Sequence, residues 1–296
     1  MYDIIIVGAG PAGMTAALYA LRANKKVLVL EAKTYGGQII KANKVENYPG
    51  IESISGVDFA TNLYNQVKNL GGEVKFETVI RITDKKEVIT SKNTYQAKAV
   101  ILATGADNRK LNIEHEQEFV GKGISYCATC DGNFFKDKVV AVIGGGNTAL
   151  EDAIYLADIA SKVYLIHRRD SFKAEDRYVS EAREKDNIEF IFNSNVSKLI
   201  GSDQLEEIEI KSNMGDVKTI AIAGLFIAVG QEPKNEIFAD IIELNQYGYI
   251  VSSDGVHTNK EGIYVAGDCR VKTLRQLTTA VSDGSIAATI AMREMR

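Results

Sequence analysis

"DIIIVGAGPAGMTAALYALRANKKVLVLEA", Asp3 to Ala32, is the stretch whose reading decides the fold. Ile4 to Val7 run without a polar break into a glycine turn, the pattern of a parallel strand buried on both faces. A helix and a second strand, Val27 to Leu30, follow. Gly8 permits the tight turn, Gly10 lets the backbone approach a pyrophosphate, and Gly13 allows close packing of helix on strand. Pro11 and Ala12 complete the turn at the head of the helix, where free N–H groups and the positive end of the dipole favour phosphate. Glu31 lies 18 residues beyond Gly13, where an acid accepts hydrogen bonds from a ribose 2′-OH. A glycine turn alone is a weak signal. With strand, helix, second strand and acid in register, the segment is expected to bind a dinucleotide.

The pattern recurs in "DKVVAVIGGGNTALEDAIYLADIASKVYLIHRRDSF", Asp137 to Phe172. Here a strand (Val139 to Ile143) leads into a turn formed by Gly144, Gly146, Asn147, Thr148 and Ala149, then a helix and a strand (Lys162 to Ile166). No acid occupies the ribose position; His167, Arg168 and Arg169 do, with Lys173 close behind. Arginine forks suit a phosphate dianion, so this half favours a nucleotide with a 2′-phosphate, NADPH over NADH. One acid-ended and one arginine-ended unit is the layout of a flavoprotein that takes hydride from NADPH. FAD is expected in the first half and the nicotinamide nucleotide in the second. The fold class is therefore α/β, with two Rossmann-like dinucleotide-binding domains.

The remaining sequence places the second domain inside the first. "AVILATG" is a further buried strand whose ending, Ala103, Thr104 and Gly105, resembles "LFIAVG" and "YVAGD" later in the chain. The C-terminal piece is thus expected to return to the first sheet, giving an FAD domain of residues 1–112 and 243–296 and an NADPH domain of residues 113–242. Ser55 to Leu70 reads as a capped helix with Phe59, Leu63, Val67 and Leu70 on one face, ended by Gly71 and Gly72. "EVKFETVIRI", "KEVIT" and "NTYQA" read as an inserted meander, and "GYIVSSDGVHTNKEGIYVAGDC" as two strands around a turn before a last small-residue helix.

Composition excludes several classes. Hydrophobic residues make up 45% and charged residues 25%, which is ordinary globular chemistry. No apolar run approaches the ~18 residues of a membrane span, and the N-terminal apolar run lacks the basic flank and cleavage site of a signal peptide. A net charge of −4 gives no electrostatic reason to expect nucleic acid or an anionic membrane as partner. Three cysteines without an export signal point to a reducing, cytoplasmic setting, where a close pair is catalytic or metal-binding more often than a staple.

That pair is Cys127 and Cys130, in "SYCATCDGNFF". Structural zinc needs four nitrogen or sulfur ligands; the chain offers these two, Cys269 and three scattered histidines, so no metal is expected. A disulfide closing four residues removes little entropy from the unfolded chain. A working dithiol is left, with a lowered thiol pKa raising the thiolate fraction and Asp131 next in sequence as the acid or base that exchange needs.

"CATCDG" before "VVAVIGGGNTALEDA" and "HRRDSFKA", with "GAGPAG" at the start and "AGDCRVKTLRQLTTAVSDG" near the end, resembles the low-molecular-weight thioredoxin reductases over essentially the whole chain. The resemblance implies an FAD domain in two segments, an inserted NADPH domain carrying the CxxC, a homodimer, and thioredoxin as the disulfide substrate. It implies that Cys130 exchanges electrons with the flavin, Cys127 attacks thioredoxin and Asp131 handles the proton. "YGGQIIKANKVENYPG" resembles the family's flavin-contact loop and points to Gly37, Gln38 and Asn47. "AGD" points to Gly267 and Asp268 at the ribityl–phosphate region, and "RQ" to Arg275 and Gln276 beside the isoalloxazine. The family rotates one domain against the other, which places hinges near Asn112 and Glu232. Two departures stand out: Asn147–Thr148 where the family more often has Asp-Ser, and Lys173 where it often has a third arginine. Some flavin-dependent relatives take electrons from ferredoxin, but the retained glycines and Arg168–Arg169 favour NADPH. A different redoxin acceptor, or a flavin sensor without turnover, are the alternative readings.

Overall fold

The structure is a computed structural model and describes every residue except Asn43, Ser253, Asp254 and Arg296. In chain order the elements are β1 (Tyr2–Val7), α1 (Pro11–Arg22), β2 (Val27–Glu31), α2 (Gly56–Asn69), β3 (Glu73–Phe76), β4 (Val79–Ile82), β5 (Glu87–Thr90), β6 (Thr94–Leu102) and β7 (Ala106–Asn108). Then come β8 (Ile124–Ser125), α3 (Ala128–Asp131), β9 (Val139–Gly144), α4 (Asn147–Ala157), β10 (Lys162–Ile166), α5 (Asp176–Arg183) and β11 (Ile188–Ile191). The chain continues through β12 (Ser194–Gly201), β13 (Leu205–Ser212), β14 (Val217–Ala221), β15 (Gly224–Ala228), β16 (Gln231–Pro233), β17 (Ile263–Val265) and α6 (Leu277–Glu294). Short 3₁₀ turns lie at Gly37–Lys41, Gly132–Phe135 and Glu236–Phe238.

Two compact units emerge, one of Met1–Asp107 with Glu232–Arg296 and one of Asn108–Gln231. In the first, β3-β2-β1-β6 pair in parallel and the antiparallel β5 and β4 extend the sheet from the N-terminal half of β6. The C-terminal half of β6 pairs in parallel with β17, Val100 to Leu102 against Ile263 to Val265. The last strand thus rejoins the first sheet across more than a hundred residues, and Ala99 to Leu102 are fully buried beneath it. Burial of a large aliphatic side chain is worth roughly 1.5–3 kcal/mol, so this seam is a strong anchor for the turn that follows at Ala103–Gly105. Helix α2 starts where Ser55 accepts the Asp58 amide at 3.0 Å, an N-cap that satisfies one of the helix's free donors. It stops before Gly71, whose φ of 79° is a left-handed conformation that favours glycine.

The second unit repeats the scheme with a five-stranded parallel sheet, β11-β10-β9-β15-β8, and adds an antiparallel sheet, β12-β13-β14. The two chain crossings run side by side as the ribbon β7-β16.

Three expectations change. Glu73–Phe76, read as part of a meander, is a parallel partner of β2, so only β4, β5 and β6 form the meander. The segment before β17 is not a strand: Ile250 makes isolated bridges to Leu244 and Arg270, and Ser253 and Asp254 in the expected turn lie outside the described residues. The crossings lie at Asp107/Asn108 and Gln231/Glu232, each earlier in the chain than the expected 112/113 and 242/243. Phe238, Ile241 and Ile242 pack with Ile5, Leu28 and Val265, which draws that stretch into the first unit.

Candidate redox and nucleotide sites

Cys127 and Cys130 are joined as a disulfide, with Cα atoms 5.3 Å apart. Cys127 sits at the N-cap of α3 in extended conformation, and Cys130 lies within that single turn. Of the two cysteines, only Cys130 therefore lies on the helix. Ala128 between them is buried against α4, which fixes the turn to the nucleotide fold. Cys130 is exposed and Cys127 half-buried, the reverse of the ordering that an outward Cys127 and an inward Cys130 suggest. Asp131 is held by Ser125, whose hydroxyl donates to Asp131 Oδ2 at 2.6 Å and whose oxygen accepts the Cys127 amide at 3.0 Å. Burial pushes the Asp131 carboxyl above its ordinary pKa, partly opposed by the Ser125 bond.

Sequence reading missed Glu116, inside the polar run "NIEHEQEF". Its buried carboxylate accepts the amides of Leu111 and Asn112 at 3.0 and 2.8 Å and the Tyr126 hydroxyl at 2.7 Å. It thereby fastens the residues just past the crossing to the residue preceding Cys127. A buried carboxylate is tolerated because three donors face it.

The second glycine turn heads α4. A Cβ on Gly144 would strike the Ala228 carbonyl and the Ala149 methyl, so Ala149 fits because its neighbour has no side chain. Gly146 is open on all sides, and Thr148 is exposed beside it. Asn147 pairs reciprocally with Glu175, donating from Nδ2 at 2.8 Å and accepting the Glu175 amide at 2.9 Å. The Lys173 amide donates to the Gly145 carbonyl at 2.7 Å. These bonds fold the segment carrying Arg168, Arg169 and Lys173 over the turn. All three cations are exposed, and none makes an ion pair among the described residues. His167 is buried, stacks on Phe172 with ring centroids 5.4 Å apart, and leaves Nε2 without a partner. Burial, then Arg169 and Arg168, hold its pKa down, so it stays neutral at the turn.

In the first unit, a Cβ on Gly8 (φ 111°) would collide with the Ala103 carbonyl, and one on Gly13 with the Gly8 carbonyl. Both turns, Gly8–Gly13 and Ala103–Gly105, are therefore pressed together at the ends of β1 and β6. Glu31 accepts the Ala9 amide at 2.9 Å and the Lys33 amide at 2.9 Å, so it closes the turn. Gly36 donates to the Ala9 carbonyl at 2.8 Å, setting Gly37 against Gly10. Gln38 donates to Asp107 at 2.5 Å. Asn47 donates to Gln276 at 3.1 Å, uniting two residues far apart in sequence. Arg275 donates to the carbonyls of Asp268, Arg270 and Lys272 and lies 4.2 Å over the Tyr249 ring. Its guanidinium closes a loop, a role its sequence position does not reveal. Thr104 Oγ1 donates to Asn235 Oδ1 at 2.9 Å.

Comparison with known proteins now bears on this arrangement. A family model described as pyridine nucleotide-disulphide oxidoreductase matches residues 2–284. The thioredoxin reductase of Mycoplasma genitalium is 42% identical over 300 residues, covering 99% of this chain and 95% of that protein. The thioredoxin reductase of Bacillus subtilis is 40% identical, covering 97% and 93%. The crystal structure of thioredoxin reductase from Streptococcus pyogenes superposes with a TM-score of 0.95 at 40% identity, covering 100% of this chain and 98% of that one. The chain belongs to the thioredoxin reductases, within the pyridine nucleotide-disulphide oxidoreductases.

Thioredoxin reductases of this family depend on FAD and NADPH, and the residues present fit both. Asp268 Oδ1 and Thr15 Oγ1 are buried polar atoms without a partner. Such atoms are costly unless something bonds to them, and both belong to the unit that carries the Gly8–Gly13 turn. In the other unit Arg168, Arg169 and Lys173, exposed and without an ion pair among the described residues, belong to the segment bonded back to the turn through the Lys173 amide, a set of cations that suits an anionic nucleotide. Among the described residues no cluster of His, Cys, Asp and Glu is suited to a metal, and no helix is long and apolar enough to cross a membrane.

Proposed function

We infer that this chain is an NADPH-dependent thioredoxin-disulfide reductase, a reading carried by the Cys127–Cys130 disulfide standing on the second nucleotide unit of a member of this family. FAD would be held by Gly8, Gly10, Pro11, Ala12, Gly13, Glu31, Gly37, Gln38, Asn47, the Ala103–Gly105 turn, Gly267, Asp268, Arg275 and Gln276. NADPH would be held by Gly144, Gly146, Asn147, Thr148 and Ala149, with Arg168, Arg169 and Lys173 at the 2′-phosphate. His167 braces that turn from behind. The unit of residues 108–231 is accordingly the nicotinamide domain and the remainder the FAD domain. When bound, the pair of cofactors supplies two electrons to the disulfide. Overall, NADPH and one proton reduce one disulfide of thioredoxin to two thiols and leave NADP⁺.

The chain's own residues perform the exchange. With the pair reduced, the Cys127 thiolate attacks a sulfur of the thioredoxin disulfide; a new S–S bond forms and the leaving thiolate is protonated from Asp131. Cys130 then attacks Cys127, restoring the original disulfide and releasing the second thiol. Family resemblance further supports a homodimer working in the cytoplasm.

The experiment is steady-state turnover with NADPH and the organism's own thioredoxins. The expected result is NADPH oxidation matched one to one by thiol-pair formation. Failure with every thioredoxin would sink the acceptor, and a protein unresponsive to NADPH but reduced by ferredoxin would sink the donor. Arg168→Ala and Arg169→Ala are each expected to raise the KM for NADPH about tenfold to a hundredfold. That is the worth of a charge-assisted hydrogen bond, roughly 1.5–3 kcal/mol. The KM for NADH should barely move, since it has no 2′-phosphate; equal losses with both nucleotides would refute the assignment.

A further inference from the structure

Asp283, in the second turn of α6, is buried and collects four donors. The Gly267 amide donates at 3.0 Å, Arg270 Nε and Nη2 at 2.9 and 3.0 Å, and Lys272 Nζ at 2.8 Å. The arginine grips it with two parallel bonds, and side-chain exposure at Lys272 is 6%. Burying two cations against one carboxylate is expensive unless the geometry is good and further charge lies nearby. Asp268, next to Gly267, is a further carboxyl in this cluster: burial, with Asp283 beside it, pushes its pKa above the ordinary value, opposed by Lys272, Arg275 and Arg270. Its Oδ1 is nonetheless without a partner, because the cations are spent on Asp283 and on loop carbonyls.

The adjacent glycines join this clamp to the first glycine turn. A Cβ on Gly284 would strike the Ala12 carbonyl, and one on Gly267 would press into the Ala12 methyl. Asp283–Gly284 therefore sits where α6 meets the head of α1 with one residue and grips the Gly267–Lys272 loop with the other. Gly267 has φ 81°, and its amide bond to Asp283 holds that left-handed turn, which sets where Asp268 points.

We propose that Asp283 is a positioning residue for FAD: through Gly267, Arg270 and Lys272 it holds the loop in the shape that presents Asp268 to the cofactor. It does so without being one of the residues assigned to touch FAD. The proposal rests on the FAD assignment above. Asp283→Asn keeps the size but surrenders the charge that two buried cations need. FAD binding, followed by recovery of flavin fluorescence as the holoenzyme is diluted, is expected to be about tenfold to a hundredfold weaker in the variant than in the native protein, the worth of one charge-assisted hydrogen bond. The melting temperature of the variant should fall more with FAD bound than after its removal. An unchanged FAD affinity, or an equal fall in both forms, would overturn the proposal, since a purely structural residue acts on both alike. Arg270→Lys, which keeps the charge and loses the fork, should weaken FAD by a smaller factor; no change there would also count against it. A native protein that binds no FAD would instead overturn the functional reading itself.

Discussion

Cys130→Ser is expected to reduce thioredoxin at no more than background rate, a loss of at least about a thousandfold, while still binding FAD and NADPH. The argument starts from electron counting. Each turnover moves two electrons, and a lone thiol at position 127 can form a mixed disulfide with thioredoxin but has no neighbour to resolve it. Replacing a native disulfide often costs stability, but this one closes a loop of four residues, for which the entropic gain is small, and Cys130 is exposed. The variant should therefore fold, with flavin content equal to the native protein, and pass electrons from NADPH to a small artificial acceptor that bypasses the dithiol. A non-reducing gel should trap Cys127 joined to thioredoxin. The reciprocal Cys127→Ser variant decides the order of attack, which exposure alone argues the other way. If Cys127→Ser traps thioredoxin on Cys130 and Cys130→Ser traps nothing, the two roles are exchanged. Undiminished thioredoxin reduction by Cys130→Ser would refute the dithiol mechanism.

The parts of this chain that were legible in its sequence are those fixed by neighbours in sequence. The unit β1-α1-β2 could be read because its continuous apolar strand, left-handed Gly8 and close-packed Gly13 each leave a local mark, and β9-α4-β10 repeats them. The return of β17 to β6 was readable because strand-plus-glycine endings recur. What escaped depends on distant partners. Whether Glu73–Phe76 joins a meander or lies parallel to β2 depends on which edge is free, and nothing in four residues records that. Phe238, Ile241 and Ile242 could belong to either unit until their packing partners are known. Asp283 carries no local mark of its role, since Gly267, Arg270 and Lys272 lie 16, 13 and 11 residues away. Glu116 was hidden in a polar run, although an acid amid unprotected turn amides is a signal that could have been weighed.

Asp131→Asn tests the proton's route and carries an opposite effect on stability. The carboxyl is half-buried, and its desolvation lifts the pKa above the ordinary value against the single Ser125 hydroxyl that bonds it. An acid so placed stays protonated further toward neutrality and can give its proton to a leaving thiolate, a contribution of roughly 10²–10⁴ in rate for a positioned general acid. Asparagine keeps the shape and can still accept the Ser125 hydroxyl, but has no proton to give. Turnover with thioredoxin should fall about a hundredfold or more, while reduction of a small acceptor that bypasses the dithiol is unchanged. The fall should be read from the pH profile as well: the limb governed by this carboxyl disappears in the variant. Stability moves the other way. With the folded pKa above the unfolded one, the native protein binds more protons than its unfolded chain between the two values. Ionised Asp131 is therefore a burden that is absent below the unfolded pKa and complete above the folded one. Asp131→Asn removes it, so the variant should melt at a higher temperature than the native protein at pH 7, and the gap should close as the pH falls toward 4. A variant that loses activity and stability together at neutral pH would mean that the residue is a structural support, and the proton would have to come from elsewhere.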